Sequence, residues 1–200
     1  MGLWDLEAKW YDGWRRIPAV RWILEGEKRN LRSLIDSISD FPQAVVDFGT
    51  GAGSTLDIFP GSIRITGMDK SFSMITLAGK GRPLTGVVGD IRRPPFRRGS
   101  IRFLSVIGVL EYIPDYRAFL REAEIILSEK GYLLVTISPS GFLNRVRSLL
   151  GHPLFPIRTE EWAMSVQLLP FVRLQGRKSA FQMQFLYRKE TGMNLAPNTG

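Results

Sequence analysis

The chain has 200 residues and a formal net charge of +8, and its 44% hydrophobic and 23% charged residues are the proportions of an ordinary globular protein with a full-sized core. It has no cysteine, which excludes disulfides, thiolate metal sites and a cysteine nucleophile, and His152 is its single histidine. No stretch reaches the roughly 18 apolar residues of a membrane span, and MGLWDLEAKW carries acids where a secretory signal has an apolar run, so the expected location is cytoplasmic.

Residues 1–39 place apolar side chains at three- and four-residue intervals, interrupted near Gly13 and Pro18, and predict an N-terminal helical segment packed on the core. Short apolar runs then alternate with helical pieces. AVVDF predicts a strand, STLDIF the start of a helix, IRITGM a strand, and SFSMITLAGK a helix opened by a serine cap. LTGVVG and IRFLSVIGVL predict two further strands. YRAFLREAEIILSEKG predicts an amphipathic helix closed by Gly131, and YLLVTIS a continuous apolar strand. TEEWAMSVQLL predicts a helix with an acidic first turn. FVRLQGRKSAFQMQFLYRK predicts two strands around a turn at Gly176, with no room for a helix between them. Such a hairpin is antiparallel. The alternation as a whole predicts an α/β fold with helices on both faces of a mostly parallel sheet that ends antiparallel, and residues 191–200 read as a polar tail.

The strand AVVDF runs into Gly49, Gly51 and Gly53 on alternate positions. Glycine at that density costs conformational entropy, so backbone free of side chains is required there. In a parallel α/β sheet, ligands bind at the carboxyl ends of the strands, and a glycine turn lets a ligand approach the backbone closely. Asp69 ends the second strand, where a carboxylate can accept both hydroxyls of a ribose, and Asp90 follows the third. With Asp47, three acids converge on one crevice edge.

These segments resemble the class I S-adenosylmethionine-dependent methyltransferases, and among them the small-molecule group that includes quinone-biosynthesis enzymes. DFGTGAG is similar to the family's acid-x-G-x-G-x-G loop, DKSFSM to its D-x-S-x-x-M segment, GDIRRPPF to G-D-x-x-x-x-P-F and VLEYIPD to V-L-E-H-I-P-D, in the same order and spacing. The resemblance covers residues 40–138 and implies a Rossmann-like seven-stranded sheet with an antiparallel last strand, the methyltransferase domain extending over 40–190. It implies that Asp47, Gly49, Thr50 and Gly51 hold the methionine end of S-adenosylmethionine. It implies further that Asp69 binds the ribose, that Lys70 and Met74 flank the adenine, and that Asp90, between Gly89 and Ile91, reads the adenine amine. Ile107 and Gly108 lie where the family's backbone passes beside the methyl group. Two residues depart from the pattern: Tyr112 stands where the family has histidine, and Arg102 where an aspartate opens the fourth strand.

Methyl transfer from a sulfonium requires orientation and a dry pocket more than a reactive side chain, which fits a chain without an obvious nucleophile or metal cluster. Glu111 and Tyr112 are candidates to orient the acceptor or take its proton, with capping of the next helix as the structural alternative. Tyr11 is a candidate to close the pocket from the N-terminal segment. The Leu-, Phe- and Pro-rich residues 139–170, which include His152, form a candidate cover over the acceptor. A nicotinamide-dependent oxidoreductase is the competing class, opposed by Asp47 ahead of the glycines, by Ser54 at the last small position of G-x-G-x-x-G and by the hairpin. A cofactor-binding protein without catalysis is the third. The acceptor is expected to be a small apolar or amphipathic molecule. The arginines of IRRPPFRR leave a phosphate-bearing substrate, an anionic membrane surface or simple solubility open. RNA is the alternative acceptor. The chain has no cysteine for covalent cytosine methylation, and it lacks the Asn/Asp-Pro-Pro-Tyr run that grips a flipped base.

Overall fold

The computed structural model describes residues 18–139, 154–179 and 181–191; Tyr11 and His152 lie outside them. Helix α1 (Pro18–Asp36) precedes strand β1 (Ala44–Phe48) and the 3-10 turn Leu56–Ile58. Strand β2 (Arg64–Asp69), helix α2 (Phe72–Gly81) and strand β3 (Thr85–Val88) follow. Strand β4 (Ile101–Val106), a second 3-10 turn (Leu110–Tyr112), helix α3 (Tyr116–Ile126) and strand β5 (Leu127–Ile137) complete the parallel part. Helix α4 (Thr159–Gln167) and the hairpin β6 (Phe171–Lys178) and β7 (Met183–Lys189) end it.

The seven strands form one sheet in the order β3-β2-β1-β4-β5-β7-β6, parallel from β3 to β5, with β7 antiparallel to both of its neighbours. The strand order reverses between β1 and β4, so the crevice for a ligand opens at their carboxyl ends. Alternate residues of the central strands feed two apolar layers. Phe48, Leu104 and Val106 pack with Phe119, Leu120 and Trp162 on one face. Val45, Ile65, Phe103 and Leu134 pack with Leu31, Leu34 and Ile35 of α1 on the other. Burial of a large apolar side chain contributes roughly 1.5–3 kcal/mol, so these layers carry most of the stability. Lys28 and Arg32 also reach Asp57 at 3.0 and 3.1 Å, tying α1 to the loop after β1.

Helix α1 begins at Pro18, where the sequence pattern is interrupted, as a proline in a first turn allows. Three local expectations are corrected. STLDIF folds only into the short turn Leu56–Ile58, whose carbonyl end is satisfied by Arg82: its Nη1 donates to Leu56 O at 2.6 Å and Phe59 O at 2.9 Å, and its Nη2 to Pro60 O. Helix α3 stops at Ile126, before Gly131, because Leu127 pairs with Ile101 and starts β5. The bend falls instead on Lys130, at φ 59°, and a Cβ on Gly131 would lie 2.8 Å from the Ser128 carbonyl. The hairpin turn is likewise not at Gly176. Strand β6 continues through it, a Cβ there would come within 3.2 Å of the Phe185 ring, and Ser179 closes the turn by hydrogen bonds with Gln182.

Candidate functional site

The three glycines after β1 serve different ends. All have positive φ, 67° at Gly49, 54° at Gly51 and 79° at Gly53. A Cβ on Gly49 would meet Val109 Cγ2 at 2.3 Å, and one on Gly53 would meet Ala78 at 3.1 Å, so these two let the loop pack against its own protein. A Cβ on Gly51 would find only Gly49 O, at 3.9 Å. Gly51 is therefore the glycine with open space beside it. Gly49 and Thr50 donate from their amides to Met68 O at 2.7 and 3.1 Å, which locks the loop to the end of β2.

The three acids lie around this loop in different states. Asp47 is buried in β1, takes a 2.5 Å hydrogen bond on Oδ1 from Ser105 Oγ, and is pushed up to about 6. Burial is the main cause, opposed by the hydroxyls of Ser105 and Thr50 and reinforced by the nearby charge of Asp69. Thr50 Oγ1 itself donates to the Asp47 carbonyl at 2.8 Å. Asp69 accepts Gly51 N–H on Oδ2 and Ser71 N–H on Oδ1, both at 2.9 Å. One side chain thus sets both the glycine loop and the start of α2, whose cap is Ser71. Asp90 is exposed enough to pair with two cations, Arg92 Nη2 at 2.6 Å and Lys70 Nζ at 3.2 Å. The Arg92 guanidinium, with Lys70 behind it, holds the Asp90 carboxyl well below the usual carboxylate range.

The surrounding positions complete one wall. Met74 and Ile91 are buried, and Gly89 donates to the Asp69 carbonyl at 3.0 Å while a Cβ on it would press on Met68 Sδ at 3.2 Å. On the other wall, beyond β4, Ile107 is half-buried against the α1-side core. Gly108 has φ 68° with no atom within 4 Å of where its Cβ would be, and its amide donates to Thr136 Oγ1 at 2.8 Å.

Glu111 is 2% exposed, its Oε1 accepting from Ser138 Oγ at 3.3 Å and its carbonyl from Phe155 N–H at 2.6 Å. It binds the end of β5 and the chain returning at Phe155 to the turn after β4. The next helix is capped by Asp115, which accepts from the amides of Arg117 and Ala118. Neither Glu111 nor Tyr112 performs that capping. Tyr112 is half-buried.

The fold thus gathers Asp47, Gly49, Thr50, Gly51, Asp69, Lys70, Gly89 and Asp90 at the carboxyl ends of β1, β2 and β3. Sequence reading missed Ser105, Thr136 and Ser138, and took Arg92 only as part of a basic run. A hydroxyl inside an apolar strand was the signal for Ser105 and Thr136, but its partner becomes visible only once strand register is known.

The family description "Methyltransferase domain" matches residues 46–135. The demethylmenaquinone methyltransferase of Thermotoga maritima is 30% identical over 140 residues, 68% of this chain and 59% of that protein, so the chain spans under two thirds of this relative's length. Among solved structures, a chain in the complex between the Haloferax volcanii Trm112 methyltransferase activator and a methyltransferase superposes with a TM-score of 0.76 at 15% identity, over 95% of this chain and 99% of that one. Magnesium protoporphyrin IX methyltransferase from Synechocystis PCC 6803, solved with bound SAH, gives a TM-score of 0.72 at 15% identity, over 93% and 97%. At that identity the likeness is one of fold.

Proposed function

We propose, since the chain belongs to the class I S-adenosylmethionine-dependent methyltransferases, that it transfers a methyl group from S-adenosylmethionine to a small apolar or amphipathic acceptor. The observation that carries this reading is Gly51: it combines a left-handed backbone with open space, its amide held by the Asp69 carboxylate, at the reversal of strand order. Asp47, Gly49, Thr50 and Gly51 would hold the methionine end. Asp69 would take the ribose hydroxyls, and the structure leaves it capacity, since each oxygen accepts one amide and retains a second lone pair. Lys70, Met74, Gly89, Asp90 and Ile91 would enclose the adenine, whose amine would share the Asp90 carboxylate with Arg92 and Lys70. Ile107 would border the methyl group.

When bound, this cofactor supplies an electrophilic methyl on a sulfonium whose leaving group departs neutral. The protein's part is orientation and exclusion of water. Glu111, buried and tied to Ser138, supports the acceptor wall from behind, while Tyr112 stands nearer the surface as the residue to orient the acceptor. Arg93, Arg97 and Arg98 are exposed, which suits a phosphate-bearing acceptor or an anionic membrane surface carrying it. The test is to incubate the protein with labelled S-adenosylmethionine and a cell extract and to separate aqueous small molecules, lipid-extractable material and RNA. Label in the first two fractions is the expected result. Label in RNA, with binding that falls steeply with salt, overturns the acceptor class.

A further inference from the structure

We infer that Ser105 is a positioning residue for the cofactor: its buried hydroxyl orients the Asp47 carboxylate and favours the anionic form that receives the cofactor's ammonium group. The inference rests on the cofactor reading given above.

Ser105 is 0% exposed, in a strand where Ile101, Phe103, Leu104 and Val106 are all buried apolar residues. An alanine would fill that place, so packing gives no reason for a hydroxyl. Parallel register sets Ser105 directly opposite Asp47, and Ser105 Oγ lies 2.5 Å from Asp47 Oδ1, a short bond of the kind a hydroxyl makes to a charged oxygen. Its second neighbour, the Val46 carbonyl at 3.4 Å, is too distant to compete for the hydroxyl proton.

Among the described residues, no cation does the same work for Asp47. On β2 its register partner is Gly67, over which Thr50 packs; a Cβ on Gly67 would lie 2.8 Å from Thr50 Oγ1. The charged group acting on Asp47 is Asp69, which has the same sign and opposes ionisation. Burial does so more strongly, and the two hydroxyls are what offset it, Ser105 ahead of Thr50. With Ser105 in place, Asp47 titrates at about 6 and is ionised at neutral pH. Without that hydroxyl the carboxyl moves further up, toward the pH at which the site has to bind a cation.

The experiment is calorimetric titration of S-adenosylhomocysteine into wild-type, Ser105→Ala, Ser105→Thr and Asp47→Asn proteins between about pH 5.5 and pH 8, a binding readout that needs no acceptor. In the wild type, affinity should fall as pH drops through the Asp47 titration. In Ser105→Ala that fall should begin at higher pH, leaving binding up to about tenfold weaker near pH 5.5 and under about twofold weaker near pH 8. Ser105→Thr, which keeps the hydroxyl, should restore the wild-type profile, and Asp47→Asn should abolish the pH dependence. A wild type that binds at every pH, with a profile that Ser105→Ala leaves in place or weakens equally throughout, overturns the role of Ser105 alone. A folded wild type that binds no S-adenosylhomocysteine at any pH overturns the cofactor reading and this inference with it.

Discussion

At the centre of the sheet, Asp47 is 2% exposed, has hydroxyl partners and is pushed up to about 6. At the β3 edge, Asp90 has a side chain 32% exposed, pairs with Arg92 and Lys70, and is held well below the usual range. Both acids follow the same rule, an acid near the carboxyl end of a parallel strand, yet solvent divides them. In the interior, loss of hydration outweighs what two hydroxyls return, so the charge there is poised and responds to pH. At the edge, partly exposed cations meet a hydrated carboxylate, so the charge is secure but exposed to screening by salt. The centre of the crevice is thus built of backbone and short side chains, and its edge of long charged ones.

The comparison is broken most severely at Gly51. Gly51→Val should abolish cofactor binding, because the side chain would fill the open space and a β-branched residue resists a φ of 54°. That strain should lower stability by only about 1–2 kcal/mol, leaving the protein folded. Unchanged affinity for S-adenosylhomocysteine in a folded Gly51→Val protein would move the site elsewhere. Asp69→Ala comes next. Loss of the ribose contacts should weaken binding by roughly 3 kcal/mol or more, at 1.5–3 kcal/mol per charge-assisted bond. Gly51 N–H and Ser71 N–H both lose their acceptor, so the free protein should melt earlier as well. Calorimetry and a melting scan on one sample separate the two effects.

Asp47 sharpens the contrast through pH. Its carboxyl is raised from 3.8 unfolded to about 6 folded, so between those values the native state binds more protons than the unfolded one. Stability should therefore fall as pH rises through that window, and the full cost, about 3 kcal/mol, applies above it. Asp47→Asn keeps an oxygen for Ser105 and cannot ionise. It should remove this slope and make the free protein more stable near neutral pH while weakening its hold on the cofactor. Urea titrations of both proteins from about pH 4 to pH 8 measure it, and parallel curves would mean that Asp47 is better solvated than its burial suggests.

Legibility from sequence divides along similar lines. Strands β1 to β5, the Ser71 cap and the convergence of Asp47, Asp69 and Asp90 could be read directly, because they follow from apolar periodicity and from glycines and acids at strand ends. Three boundaries could not, since each is decided by a tertiary contact. Gly176 resembles a turn residue but is small because Phe185 lies over it. Helix α3 ends short of its glycine because Leu127 is drawn into pairing with Ile101. STLDIF has a helical pattern but forms one turn, fastened by Arg82 from a later helix end. The link between Ser105 and Asp47 was hidden for the same reason, being a product of register between strands far apart in the chain. Arg92 was visible as charge but not as the partner of Asp90.

The smallest effect, and the one that tests the edge of the crevice, belongs to Arg92→Ala. Arg92 makes the shortest contact to Asp90, with Nη2 at 2.6 Å from Oδ2, and its Nε lies 3.1 Å from both oxygens. Such a fork would be strong if buried, but the Arg92 side chain is 45% exposed, and solvent reduces the pair to under about 1 kcal/mol. Lys70 remains at 3.2 Å, and the Arg92 amide still donates to Asp90 Oδ1 at 2.9 Å, so the carboxylate stays ionised and oriented. The free protein should accordingly melt within a degree or two of wild type, and even that difference should shrink as salt is raised toward 1 M. Cofactor binding should change little or tighten slightly, because Arg92 occupies oxygens that the adenine amine would use. A loss of affinity comparable to that of Asp69→Ala, persisting at high salt, would mean that Arg92 contacts the cofactor directly and that the edge of the crevice is as tightly built as its centre.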